Sequence, residues 1–169
     1  MIAINTDMKI LFIQTGGTID KDYPKKVKGY NFEIGNAAAL TILSKVAPNF
    51  DYKSVSLFKK DSLDIEEKDR KKLYDFCEKT SFSKIIITHG TDTMVQTSQA
   101  LSKIKNKIIV LTGSIRPEKF VDSDADFNIG TAVGAINVLK PGVYIAMNGR
   151  IYPWNKCHKD QKTGQFVEN

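Results

Sequence analysis

The chain has 169 residues and a formal net charge of +6, with 41% hydrophobic and 26% charged residues. That is one soluble domain with room for a core, and no apolar run approaches the roughly 20 residues that cross a membrane. The basic excess does not indicate nucleic acid: all but Arg70, Arg116 and Arg150 of the 25 basic residues are lysine, whereas bidentate reading of phosphates and bases favours arginine.

Residues 1–7 have no basic stretch followed by a long apolar one, which argues against a secretory signal peptide. Lys9 to Gln14 reads as a short buried strand, and the turn Thr15-Gly16-Gly17-Thr18-Ile19 follows it. A segment with glycine, proline and lysines, including Lys25, Lys26 and Lys28, runs from Ile19 to Gly35 and suits a mobile cover. Residues 36–47 read as a helix with Ala37, Leu40, Leu43 and Ala47 on one stripe, ended by Pro48. Tyr52 to Phe58 alternates as a strand. Glu66 to Glu78 is a helix with Ile65, Leu73, Phe76 and Cys77 inward. Lys84 to Thr88 is a strand, followed by His89-Gly90-Thr91-Asp92-Thr93 and a helix to Lys105. Lys107 to Thr112 is a strand, Asp124 to Leu139 a helix broken by Pro141-Gly142, and Val143 to Met147 a fifth strand. From Arg150 onward no periodicity is visible. Cys77 and Cys157 form no metal or redox spacing, which fits a reduced cytoplasmic protein without metal or cofactor.

Short apolar strands alternating with helices predict a three-layer α/β/α domain with a mainly parallel, flavodoxin- or Rossmann-like sheet of about five strands. Ligands of such sheets bind at the carboxyl ends of the strands, near a topological switch point. Thr18, Asp61 and Ser62, Thr91 and Asp92, and Gly113, Ser114 and Arg116 all follow strands, so all fall on that edge. Gly16 and Gly17 let a ligand approach closely, and their amides can hold an anion. The turn is not a P-loop, because no Gly-Lys-Thr or Gly-Lys-Ser follows. Thr91, Asp92 or Thr93 can each cap the next helix, but capping accounts for one of them, not three. His89 has no second metal ligand nearby and reads as a structural hydrogen-bonder beneath the site.

Thr15-Gly16-Gly17-Thr18-Ile19 and His89-Gly90-Thr91-Asp92-Thr93-Met94 resemble the paired signatures of the bacterial-type L-asparaginases. Leu111 to Pro117 and Asp122 to Asn128 are similar to that family's next two segments. The resemblance implies roles: Thr18 as nucleophile, Thr91 as second catalytic threonine, Asp92 as the group that binds the substrate's amine, and Ser62 as the group that holds its carboxylate, with Asp61 and Gly17 beside it. Lys159 falls where the family's catalytic lysine falls, acting as a base through Thr91 with Asp92 orienting it. Tyr30 is the expected tyrosine partner of Thr18, with Tyr23 as alternate.

The function implied is hydrolysis of L-asparagine to L-aspartate and ammonia. The alternative is a non-catalytic module that retains the pocket for an amino acid or related ligand. Members of the family usually have a second domain, whose copy on a neighbouring subunit contributes an acidic group. Residues 1–169 would be the first domain alone, which predicts a homodimer or higher homo-oligomer, with neither nucleic acid nor membrane as a partner.

Overall fold

Alternation along the strands decides the layers. In β1 (Lys9–Gly16), Ile10 and Phe12 face one side and Leu11 and Ile13 the other, and none is more than 4% exposed. A strand apolar on both sides must be covered on both sides. The computed structural model, which describes residues 8–23 and 32–169, shows how. Helices α1 (Ala38–Val46) and α4 (Ala125–Ile136) cover Ile10, Phe12, Ile86, Val110 and Ala146. Helices α2 (Glu67–Lys79) and α3 (Met94–Leu101) cover Leu11, Ile13, Ile85, Ile87, Ile109 and Leu111. The domain is the three-layer α/β/α arrangement expected.

The remaining strands of the central sheet are β4 (Asp51–Lys60), β5 (Lys84–Thr88), β6 (Ile108–Thr112), β7 (Gly142–Met147) and β8 (Arg150–Pro153). Their order is β4-β1-β5-β6-β7-β8, parallel except for β8. The chain passes from β1 to β4 on one side and then crosses back to β5 on the other. The order therefore reverses at the β1/β5 pair, which is the switch point. A two-residue hairpin stem, β2 (Lys21–Asp22) with β3 (Glu33–Ile34), stands just beyond β1.

The expected mainly parallel sheet of about five strands is present as five parallel strands, and one antiparallel edge strand is added to it. Met147 and Arg150 face each other across Asn148-Gly149, whose φ angles are 54° and 77°. Two consecutive positive φ values make the tight turn that joins antiparallel strands, and Asn-Gly is its strongest sequence signal. The four residues of β8, one of them proline, are too few to show alternation. The buried stripe of α1 is Ala38, Ala39, Ile42 and Leu43, and Leu40 is 39% exposed. A run of three alanines carries little phase, so periodicity alone set the helix about one residue out of rotation. Two three-residue strands complete the chain, β9 (Cys157–Lys159) and β10 (Phe166–Glu168), paired antiparallel.

Candidate active site

Three turns pack backbone to backbone at the switch point. Gly17 has φ 89° and ψ 180°, a conformation open essentially to glycine alone. A Cβ there would lie 2.5 Å from the Gly90 Cα and 2.7 Å from the His89 carbonyl carbon. A Cβ on Gly90 would lie 2.6 Å from the Ser62 Cβ. The absence of side chains at these two positions lets the β1, β4 and β5 turns touch. Thr18, Ser62 and Thr91 are each at, or next in sequence to, one of those contacts.

Lys159 reaches this cluster from β9. Its Nζ donates to Thr91 Oγ1 at 2.8 Å and to Asp92 Oδ1 at 2.6 Å. Ser62 Oγ lies 3.5 Å from Asp92 Oδ2, and Thr93 Oγ1 donates to the Ser62 carbonyl at 2.7 Å. None of Thr91, Asp92 and Thr93 caps α3: Thr93 occupies the capping position without a side-chain cap bond. All three side chains are instead committed to Lys159 or Ser62, so the capping explanation fails for each. Lys159 is 19% and Asp92 46% exposed, which leaves the pair facing an open edge.

The two threonines of the first turn separate cleanly. Thr15 is fully buried and donates to the Thr88 carbonyl at 2.7 Å, stapling β1 to β5. Thr18 opens a short 3-10 turn, Thr18–Asp20, and is half-buried. The Gly17 amide donates to the Lys60 carbonyl at 3.0 Å, so that N–H is not free to hold an anion as the sequence suggested. Among the described residues no protein acceptor takes the Thr91 N–H.

Other candidates lie at the margin. Asp61 pairs with Lys21 at 2.9 Å, and that ammonium holds its carboxyl below the usual range. It thus ties β4 to the β2–β3 stem. Arg116 pairs with Asp122 at 2.6 Å and Ser114 donates to the Arg116 carbonyl, so the loop after β6 is closed on itself. Tyr30, with Lys25, Lys26 and Lys28, lies outside the described residues. Tyr23 is 68% exposed and stacks at a tilt on Phe32, with centroids 5.4 Å apart. Among the described residues no three His, Cys, Asp or Glu side chains group so as to hold a metal ion, and no helix is long and apolar enough to cross a membrane.

His89 lies beneath the site, fully buried. Its Nδ1 is 2.7 Å from the Gly90 carbonyl, which only accepts, so Nδ1 carries the proton and Nε2 accepts from Thr97 Oγ1 at 2.9 Å. Burial pushes its pKa down to about 4 from 6.5. Between those values the unfolded chain takes up a proton that the folded one refuses, so stability falls as the pH drops through that window. The loss amounts to about 3 kcal/mol. Asp20, whose pKa is raised to about 6, contributes in the opposite sense over the same range, so the loss is read as a difference: urea unfolding at pH 7 and pH 4.5 is expected to show wild type losing about 3 kcal/mol relative to His89→Gln.

Sequence reasoning missed two asparagines that hold the lysine's hairpin. Asn148 Oδ1 accepts from the Phe166 amide at 3.1 Å, and the Asn148 amide donates to Asn128 Oδ1 at 3.2 Å. Asn128, fully buried, donates to the Gly113 carbonyl at 3.0 Å and to Asp124 Oδ2 at 2.8 Å. The available signal was an asparagine four residues before Ala132, on the apolar stripe of α4.

Fold and site together define a doubly wound α/β domain that presents threonine hydroxyls, a lysine and a carboxylate at its switch point. The chain belongs to the asparaginase family: the profile described as "Asparaginase, N-terminal" matches residues 9–165. It is 41% identical over 86 residues to the L-asparaginase of Thermococcus kodakarensis, covering 49% of this chain and 26% of that protein. It is 45% identical over 69 residues to a glutamyl-tRNA(Gln) amidotransferase component of Methanococcus vannielii, covering 40% of this chain and 16% of that one. The solved thermostable L-asparaginase from Thermococcus kodakarensis superposes with a TM-score of 0.81 at 30% identity, over 95% of this chain and 51% of that chain. Each of these matches spans about half or less of the relative's own length.

Proposed function

We propose that the chain is an amidohydrolase that converts L-asparagine to L-aspartate and ammonia, with Thr18 as nucleophile. The observation that carries this reading is the Lys159 ammonium lying between Thr91 Oγ1 and Asp92 Oδ1, at 2.8 and 2.6 Å. An ammonium only donates, so Thr91 Oγ1 must accept and its hydroxyl proton turns away from the lysine. A binding pocket has no use for such an arrangement. A proton relay does, because an unassisted hydroxyl is a weak nucleophile.

In this reading Thr18 Oγ attacks the side-chain amide carbon. For the relay the Lys159 ammonium first gives up a proton to water at the open edge; Thr91 then turns its hydroxyl proton to the free amine and takes up the Thr18 proton, and the proton held by Lys159 passes to the departing nitrogen. The C–N bond breaks and ammonia leaves an ester on Thr18. Water cleaves that ester, giving aspartate and restoring the hydroxyl. The Thr91 N–H supplies a donor for the developing oxyanion. Ser62 holds the substrate's carboxylate and Asp92 its ammonium, while Tyr30, or Tyr23 as alternate, assists Thr18. A cytoplasmic homodimer or larger homo-oligomer fits the family's habit of completing its site across subunits.

Ammonia release from asparagine and glutamine, measured side by side, tests the reading and ranks the two amides. Lys159→Met is expected to lower kcat by roughly 10²–10⁴-fold with little change in KM. Wild-type protein that releases no more ammonia than buffer overturns the proposal.

A further inference from the structure

Asp20 is 2% exposed and lies two residues after Thr18, yet the reaction above does not use it. Its Oδ1 accepts the Ala38 amide, the first N–H of α1, at 2.8 Å. Its Oδ2 lies 3.4 Å from the hydroxyl of Thr88, the last residue of β5. Its main-chain carbonyl accepts the Gly35 amide at 2.7 Å. Gln14 Nε2 donates to the Gly35 carbonyl at 3.1 Å. One residue earlier, the Ile19 carbonyl accepts the Glu118 amide at 3.1 Å. The turn that begins with Thr18 is thus moored to α1, β5, the far end of the β2–β3 stem and the loop after β6.

We propose that Asp20 is a positioning residue for Thr18, its buried carboxylate fixing the nucleophile's turn against α1 and β5. This rests on the reading of Thr18 as nucleophile.

The charge on Asp20 distinguishes positioning from a plain structural cap. Burial raises its pKa to about 6 from 3.8, against the downward pull of the Ala38 amide, Gln14, Thr88 and Lys59. The other charges around the same small cavity are largely committed. Lys21 pairs with Asp61 at 2.9 Å, Glu118 with Lys45 at 2.6 Å, and Lys119 lies 4.0 Å from Asp22. The carboxylate is therefore ionised at neutral pH in a place that disfavours ionisation. The sign follows: with the folded pKa above the unfolded one, the stability Asp20 contributes is complete below 3.8 and is lost as the pH rises through 6. A group kept only to hold the fold would serve better as a neutral amide. Its retention as an ionised acid beside Thr18 points to function.

Asp20→Asn keeps an acceptor for Ala38 and removes the charge. At pH 7.5 we expect its Tm to rise by roughly 3–6 °C while kcat falls roughly 10- to 100-fold with KM nearly unchanged. At pH 5, where the wild type is itself mostly neutral, the Tm advantage shrinks towards zero. The wild-type fall in kcat/KM below about pH 6 is expected to be absent in the variant. A lower Tm at pH 7.5, or unchanged kcat, overturns the proposal. Should the variant not fold, the Ala38 and Gly35 amide resonances of wild-type protein decide: a shared titration near pH 6 supports the mooring, and flat traces overturn it. If wild-type protein releases no ammonia, the functional reading fails by itself, and these resonances still report on the mooring.

Discussion

Thr18→Ala is expected to lower ammonia release from L-asparagine by about 10⁴-fold or more while leaving the fold intact. Removing a nucleophile leaves only the binding and oxyanion contributions of the site. The fold should tolerate the change because Thr18 is half-buried and, among the described residues, its hydroxyl has no hydrogen-bond partner; Tm should move by no more than about 2 °C. Thr15→Ala is the matched control three residues away. Its hydroxyl is buried and donates to the Thr88 carbonyl at 2.7 Å, so deleting it leaves an unsatisfied acceptor at a cost of about 1–3 kcal/mol. Steady-state assays and urea titrations on the pair should therefore separate: one variant inactive and stable, the other less stable and active wherever it remains folded. Thr18→Ala retaining full activity would remove Thr18 from the chemistry.

Gly17→Ala is expected to be among the most damaging single methyl groups in the domain. Two terms add. The φ of 89° with ψ of 180° costs a residue with a Cβ about 1–3 kcal/mol. The new Cβ also falls 2.5 Å from the Gly90 Cα and 2.7 Å from the His89 carbonyl carbon, both backbone atoms that cannot rotate away. The β1 and β5 turns must separate, and these are the turns that carry Thr18 and Thr91. A loss of about 4 kcal/mol or more is expected in urea unfolding, a large share of the roughly 5–15 kcal/mol that holds a domain together. Activity should be lost even where the variant is folded. A variant with wild-type stability would mean that the turns are not held in contact as described.

How much was legible in the sequence differs by element. The strands of the parallel core were readable because they are short, apolar and bounded by turn residues, and their alternation with helices places Thr18, Ser62 and Thr91 on one edge whatever the strand order. Lys159 was reachable only through resemblance to a family, since nothing in the spacing of the last twenty residues marks it. β8 was hidden by its brevity, although Asn148-Gly149 announced its turn. The register of α1 was blurred by alanine. Asp20 reads in sequence as one more charge in a polar loop, because its burial is created by α1, β5 and the loop after β6, which arrive from far along the chain. The same is true of Asn128 and Asn148, whose partners are 15 and 18 residues away.

Lys159 stands apart from the rest of the cluster in one respect. Thr18, Ser62, Thr91 and Asp92 follow strands of the six-stranded sheet, whereas the lysine rides on a hairpin of three facing residue pairs outside it. That hairpin is pinned by the buried Phe166, by the Tyr152 hydroxyl donating to the Phe166 carbonyl at 2.8 Å and by Asn148. Small peripheral units open at lower free energy than the sheet they lean on. Warming the protein should therefore detach the ammonium from Thr91 and Asp92 before the sheet melts, so that the upper temperature limit of catalysis is set by the grip of one small hairpin and lies below the melting point of the domain.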